Sequence, residues 1–141
     1  MNNGRLADGL TVAAFVVVFG LGIGLIAVDP VASASSRVEI RIRYSQFEPA
    51  SVSVPYGRPV TFVLVNDDPI AHEWLVGDDE MHRVHRAGTE AHHGSRPTEV
   101  SIPPLSTIET TVTFEQPISW RYICHLPGHE AYGMVGSVSA N

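Results

Sequence analysis

Most of the chain after residue 38 consists of short segments in which apolar and polar residues alternate, separated by Pro, Gly, Asn and Asp. Alternation with a period of two is typical of a strand buried on one face, and the separating residues favour turns. This pattern predicts an all-β fold, a β-sandwich or Greek-key barrel of seven to eight strands. The predicted strands are residues 38–44, 52–54, 60–65, 72–76, 99–102, 107–114, 118–123 and 134–139.

The segment at about 77–97 interrupts the strand pattern. It is polar, predicts a short helix only around residues 80–86, and contains four histidines. These are His82, His85, His92 and His93. A solvated polar loop is the favoured interpretation. The alternative is an accessory metal site, because a helix would place His82 and His85 on one face, where two imidazoles can share a metal.

The N-terminal part of the chain, residues 1–34, predicts a membrane anchor or a signal peptide with a short linker. Residues 10–28 are 19 uncharged, mostly apolar positions behind a short N-terminus that carries Arg5. This is long enough to cross a bilayer, whereas the apolar region of a signal peptide is usually about 7–15 residues. The sequence Ala32-Ser33-Ala34 nevertheless matches a signal-peptidase site, so cleavage near Ala34 stays open. Both alternatives place the domain at 35–141 on the extracytoplasmic side.

Length and charge limit the remaining possibilities. The 141 residues provide for one domain and an N-terminal extension. The chain has 15 acidic and 9 basic residues, which gives a formal charge of −6. Because phosphate binding needs a basic surface, we expect no nucleic-acid partner.

The single cysteine, Cys124, is followed by His129 and Met134 in one short loop. An exported protein with an unpaired cysteine uses it as an intermolecular bridge, a reactive thiol or a metal ligand. A thiolate, two imidazoles and a weak thioether form the ligand set of a blue-copper centre, and His72 is the candidate for the second imidazole. Zinc, or an ordinary buried cysteine with no metal, are the alternatives. The flexible Met as fourth group favours copper.

These residues resemble those of the cupredoxins, the small blue-copper proteins, over residues 38–140. The resemblance implies an eight-stranded Greek-key β-sandwich and one type 1 copper ion. The implied ligands are His72, Cys124, His129 and Met134. The four-residue spacing on both sides of His129 is similar to the loops of auracyanin and rusticyanin. Further matching residues are Phe47-Glu48-Pro49, Val52-Ser53-Val54, Gly57, Val60-Thr61-Phe62 and Asn66.

Some residues beside the implied ligands depart from the family pattern or are open to more than one interpretation. In many cupredoxins an Asn follows the first His ligand, but here the residue is Glu73, which could pair with an Arg or make the potential pH-dependent. His125 is expected to face outward at a strand end, although a His beside the copper thiolate binds a further copper in multicopper enzymes. Leu126 and Tyr132 are candidates for the apolar surround of the site.

The leading functional hypothesis is an exported single-copper electron carrier that acts between two redox partner proteins, with His129 as the electron port. The alternative is an extracytoplasmic copper resistance or storage protein that uses the His-rich insertion as an accessory copper site. The stretch His72-Glu73-Trp74 with this insertion also looks like a group of bacterial cupredoxin-like copper-binding proteins. We expect no enzyme, because the residues provide no substrate copper site. The membrane is a further partner if the N-terminal segment is retained.

Overall fold

The computed structural model describes residues 36–88 and 96–141, which form nine strands and one helix. The predicted all-β sandwich is confirmed, but the predicted strand number is one too low. The helix, α1, spans Asp79–Arg86. The strands are β1 (Ser36–Arg43), β2 (Gln46–Glu48), β3 (Ser51–Val54), β4 (Pro59–Asn66), β5 (His72–Gly77), β6 (Glu99–Ile102), β7 (Thr107–Thr113), β8 (Ile118–Ile123) and β9 (Val135–Ala140).

Strand β2 is the element that the sequence pattern did not predict. Tyr44 and Ser45 have φ angles of 53° and 54°, the left-handed conformation that a tight hairpin turn requires. The turn brings Phe47 opposite Ile42 of β1, and the Phe47 ring packs edge-on against Tyr122 with 5.1 Å between centroids. Three residues are too few to show an alternating pattern, so the sequence does not indicate this strand.

The strands form two sheets, in the orders β2-β1-β4-β7 and β3-β9-β8-β5-β6. β1 pairs with β4 and β3 with β9 in parallel, and the chain passes repeatedly between the sheets, as a Greek-key sandwich requires. The sheets enclose one core whose largest side chains are Trp74, Tyr122 and Phe62. The Phe62 and Trp74 rings lie 4.9 Å apart and join the two sheets.

Strand β5 is buried on both of its faces, and this arrangement positions the site. All six of its residues are buried. Trp74 and Val76 belong to the core between the sheets. Because side chains alternate along a strand, Glu73 and Leu75 face the opposite side of the sheet. Helix α1 packs on that outer face, against β5 and β8.

Helix α1 confirms the short helix predicted around residues 80–86. The carboxylate of the N-cap residue Asp78 accepts the Met81 N–H at 2.8 Å, which satisfies one free amide of the first turn. His82 and His85 are buried on the face toward the sheet, so the interpretation of this segment as a solvated loop is wrong for these two residues. His92 and His93 lie outside the described residues.

The predicted anchor or signal peptide at 1–34, including residues 10–28 and the site near Ala34, lies outside the described residues. Within residues 36–88 and 96–141, no helix has the length and apolar character needed to cross a membrane.

Candidate metal centre

Three of the four predicted ligands meet at one end of the sandwich. His72 begins β5, Cys124 directly follows β8, and His129 lies in the loop before β9. The Nδ1 atom of His129 is 3.2 Å from the His72 Nδ1 atom and 3.2 Å from the Cys124 Sγ atom. The donor atoms of all three residues lie within 4.8 Å of one another. The structure therefore brings together residues that are up to 57 positions apart.

The loop from Cys124 to Met134 is folded back by its own backbone hydrogen bonds. The Met134 N–H donates to the His129 carbonyl at 3.1 Å, and the Cys124 N–H donates to the Met134 carbonyl at 3.2 Å. Gly128 and Gly133 have φ angles of 88° and 90°, which side chains rarely permit. The side chains of Cys124 and Met134 are fully buried and belong to the same core cluster. The predicted fourth ligand is thus held beside the thiol by the loop backbone.

Asp68 fixes the orientation of His72, and the sequence analysis did not identify it. Its carboxylate lies 3.0 Å from the His72 Nε2 atom, which leaves Nδ1 directed at the other donors. The same carboxylate accepts the N–H groups of Tyr44 and Ser45, each at 2.8 Å. Burial opposes the shift, but these amides and His72 together hold the pKa of Asp68 below its usual value. A carboxylate behind a ligating imidazole fixes its tautomer and increases its basicity.

The environment of Cys124 suits a thiol that a metal converts to a thiolate. Burial raises the pKa of Cys124, and burial lowers the pKa of His72. Both groups are therefore neutral around pH 7 without a metal. The Glu73 N–H donates to the Cys124 Sγ atom at 3.3 Å, a bond that strengthens when the sulfur carries negative charge.

Among the described residues, Glu73 pairs with a histidine, whereas pairing with an Arg was one of the expectations for it. Its Oε1 atom lies 3.1 Å from the His85 Nε2 atom, and its Oε2 atom accepts the His125 N–H at 3.2 Å. Glu73 therefore connects helix α1 to the residue that follows the cysteine.

The prediction that His125 faces outward is wrong, because its side chain is only 4% exposed. Its Nε2 atom lies 2.9 Å from the His82 Nδ1 atom, and its Nδ1 atom lies 3.2 Å from the Glu130 carboxylate. Burial lowers the pKa of His125 to about 4. Glu130 also accepts a bond from the Arg86 guanidinium at 2.8 Å and so ties helix α1 to the loop.

The alternation of β8 explains this position of His125. Tyr122 and Cys124 lie in the core, so Ile123 and His125 face the outer side of the sheet. Without a helix over that side, His125 would be exposed, as expected. Of the two candidates for the apolar surround, Leu126 packs against the core, whereas Tyr132 is 79% exposed and is not part of it.

The donor set fits copper. One soft thiolate, two imidazoles and a buried thioether suit a metal that changes between Cu(I) and Cu(II). The cluster of His72, Cys124 and His129 contains no carboxylate of the kind that harder metal ions prefer. The frame also fits, since His72 comes from a strand and the other donors from a loop closed by hydrogen bonds.

Comparison with known proteins agrees with this chemistry. The family model of copper binding proteins of the plastocyanin/azurin family matches residues 34–141. The chain is 26% identical, over 77% of each chain, to the copper-resistant cuproprotein CopI of Pseudomonas aeruginosa. It is 32% identical to the copper-resistant cuproprotein CopI of Rubrivivax gelatinosus, over 66% of this chain. It spans 58% of the length of that relative.

Solved auracyanin structures share the fold. Auracyanin from Roseiflexus castenholzii aligns with a TM-score of 0.65 at 19% identity, over 77% of this chain and 98% of that one. Auracyanin B aligns with a TM-score of 0.63 at 21% identity, over 75% of this chain and 88% of the other. At this identity, the likeness concerns the fold alone.

Proposed function

The chain belongs to the plastocyanin/azurin family of copper-binding proteins, and from this premise we propose that it is an exported type 1 copper protein that carries single electrons between redox partners. One observation carries the proposal. The donor atoms of His72, Cys124 and His129 converge within 4.8 Å on a frame that is set by strand pairing and by the loop backbone. A site arranged before the metal binds needs little rearrangement between two oxidation states, which favours fast electron transfer.

In this proposal each predicted ligand has its own role. The imidazoles of His72 and His129 and the thiolate of Cys124 would hold the copper ion, and the thioether of Met134 would be the weakest of the four donors. Copper, when bound, supplies the one-electron chemistry. Asp68 holds His72 through Nε2, and the Glu73 N–H supports the sulfur. The copper centre requires no catalytic residue, so the proposed role is that of a carrier rather than an enzyme.

The proposed electron port is the ligand loop. His129 is half-buried, while Pro127, Gly128 and Tyr132 beside it are exposed. A partner that docks on this surface would reach the imidazole edge of His129 over a short distance. Glu130, also half-buried in this loop, is engaged by Arg86 and His125. We therefore propose contact through the exposed apolar and aromatic part of the loop.

Export is proposed from the N-terminal sequence. The apolar residues 10–28 lead the chain to a membrane, either as a retained anchor or as a signal removed near Ala34. The chain's single cysteine is also consistent with an oxidising compartment when it serves as a ligand.

Redox cycling of the copper-loaded full-length chain tests the carrier role. Ascorbate should remove the intense visible absorption band and ferricyanide should restore it, over repeated cycles and with the copper retained throughout. A Tyr56→Phe variant is the matched control, because this exposed ring follows Val54, which pairs with Ala140 at the end of β9 far from the ligand loop. Release of the copper on reduction, or a band that does not return, would rule out an electron carrier.

A second candidate function is copper resistance, and the two relatives named copper-resistant cuproprotein favour it. Deletion of the gene in the native organism should then reduce growth at raised copper concentration. Expression of the wild-type chain should restore growth, whereas the Cys124→Ser variant should not. Unchanged copper tolerance of the deletion strain would leave the carrier role as the only candidate.

A further inference from the structure

We propose that the chain binds a second metal ion, Cu(II), at Glu73, His85 and Glu99. One ligand atom from each of these residues lies within 4.8 Å of the others, and all three residues are buried. They lie on the outer face of the β3-β9-β8-β5-β6 sheet, whereas the first centre lies at the end of the core between the sheets. The proposal does not depend on the electron-carrier role.

Strand register places the two carboxylates on one face. In the antiparallel pair β5 and β6, Glu73 is opposite Ser101 and Leu75 is opposite Glu99. Glu73 and Leu75 face the same side, and paired residues share a side, so Glu99 is the diagonal neighbour of Glu73. The two carboxylates therefore lie side by side under helix α1, with ligand atoms within 4.8 Å of each other.

Helix α1 supplies the imidazole. Its inner face presents His82 and His85, and the His85 Nε2 atom lies 3.1 Å from the Glu73 carboxylate. The helix is held at both ends, because Asp78 caps its first turn and Arg86 bonds Glu130 of the ligand loop at 2.8 Å. His85 is therefore fixed over the two carboxylates, as a preorganised ligand must be.

Imidazole and carboxylate ligands without sulfur favour a divalent ion over Cu(I). Among divalent first-row metals, Cu(II) binds nitrogen and oxygen sites most tightly. The first centre has a thiolate and a buried thioether instead, which suit both oxidation states. The two clusters thus differ in the chemistry that would select the ion.

A surface pocket and further imidazoles adjoin the second cluster on the side of Glu73 and His85. A pocket of about 340 Å³ is lined by residues that include Glu73, His85 and His125, and it provides an entry path. The His85 and His125 rings are 5.1 Å apart, and His125 lies 2.9 Å from His82. His72 of the first centre and Glu73 of the second cluster are neighbours in β5, so the two sites share this strand.

Copper stoichiometry of the full-length chain, purified in mild detergent, tests the second site. Equilibrium dialysis against CuCl2 should give two copper ions per chain, and electron paramagnetic resonance should show a second Cu(II) signal without thiolate character. The double variant His85→Gln/Glu99→Gln should bind one copper and keep the visible band, which also reports that the sandwich is folded. Cys124→Ser should lose the band and keep the second signal.

Two control variants separate this site from other sources of copper binding. Arg83→Gln lies on the exposed face of the same helix and His92→Gln/His93→Gln lies in the same insertion, and both should keep two copper ions. If the double variant does not fold, Glu99→Gln alone should weaken the second copper at least about tenfold. One copper per wild-type chain, retention of both in the His85/Glu99 variants, or loss only with His92 and His93 would overturn the proposal. Absence of the visible band with the second copper present would instead overturn the proposed type 1 centre.

Discussion

Two clusters of metal-binding side chains lie on opposite faces of the same sheet, and they are built differently. The first takes Cys124 and His129 from one loop and His72 from a strand. The second takes Glu73, His85 and Glu99 from β5, α1 and β6. A ligand set concentrated in one loop is visible as spacing in a sequence. A set spread over three elements becomes visible only when the faces of those elements are known.

The largest expected difference between the two clusters is in the visible spectrum. Cys124→Ser should abolish the charge-transfer band completely, because the band requires the thiolate of the first cluster. His85→Gln, in the second cluster, should leave the band in place. Absorption spectra of both copper-loaded variants check this. An unchanged band in Cys124→Ser would show that the first cluster is not the chromophore, and its loss in His85→Gln would show that the two clusters are one site.

The next largest effect is on stability. It compares two closely packed glycines, Gly136 after the ligand loop and Gly77 before helix α1. A Cβ atom at Gly136 would overlap the Tyr122 ring, whereas one at Gly77 would lie 2.8 Å from the Cβ atom of Met81. Overpacking of this kind costs about 1–3 kcal/mol, and Gly136→Ala should approach the upper limit because the buried ring cannot move aside. Urea unfolding of the two metal-free Ala variants measures the difference. A larger loss of stability for Gly77→Ala would contradict this order.

A smaller effect distinguishes the two faces of helix α1. His82 is fully buried and its ring contacts His125 and the Arg121 carbonyl. His82→Ala should lower the free energy of unfolding by about 2 kcal/mol, with the visible band retained.

Arg83, whose side chain is exposed and pairs with Glu80, provides the matched control. Arg83→Ala should change the free energy of unfolding by less than about 0.5 kcal/mol. Equal effects of the two substitutions in thermal unfolding would mean that the helix is not packed on the sheet as described.

The smallest effect tests how firmly helix α1 is anchored. Asp78 caps the helix through the Met81 N–H, so Asp78→Ala should cost about 1 kcal/mol. The neighbouring Asp79 side chain is 90% exposed and pairs with Arg121, and Asp79→Ala should cost less than about 0.5 kcal/mol. Unfolding of the two variants in urea compares them, and the reverse order would contradict the cap assignment.

Much of the fold and the first cluster could be predicted from the sequence. The alternation of apolar and polar residues located eight of the nine strands. The spacing of His129 and Met134 after Cys124 indicated the ligand loop. Strand β2 could not be predicted because three residues are too few to show an alternating pattern. The role of Asp68 in orienting His72 could not be predicted, because its carboxylate is held by the N–H groups of Tyr44 and Ser45, which are distant from it in sequence.

The second cluster could not be predicted because it depends on what covers a sheet face. The sequence identified His82 and His85 as a possible pair on a helix, but Glu99 appeared only as the first residue of a strand. The prediction for His125 was wrong for the same reason. Strand alternation places this residue on the outer side of the sheet, and that side is buried because α1 covers it. The sequence period defines the two faces of a strand, and the tertiary packing decides whether both are buried.

Copper is expected to bind to the donors that converge around Cys124. A crystal structure of the copper-loaded full-length chain, with anomalous data collected at the copper absorption edge, tests this expectation most directly. We predict an anomalous peak from a copper ion within bonding distance of the Nδ1 atoms of His72 and His129 and of the Sγ atom of Cys124. The Met134 thioether should lie beside the ion. A chain that holds copper only at Glu73, His85 and Glu99, with no metal on the Cys124 sulfur, would contradict the expectation.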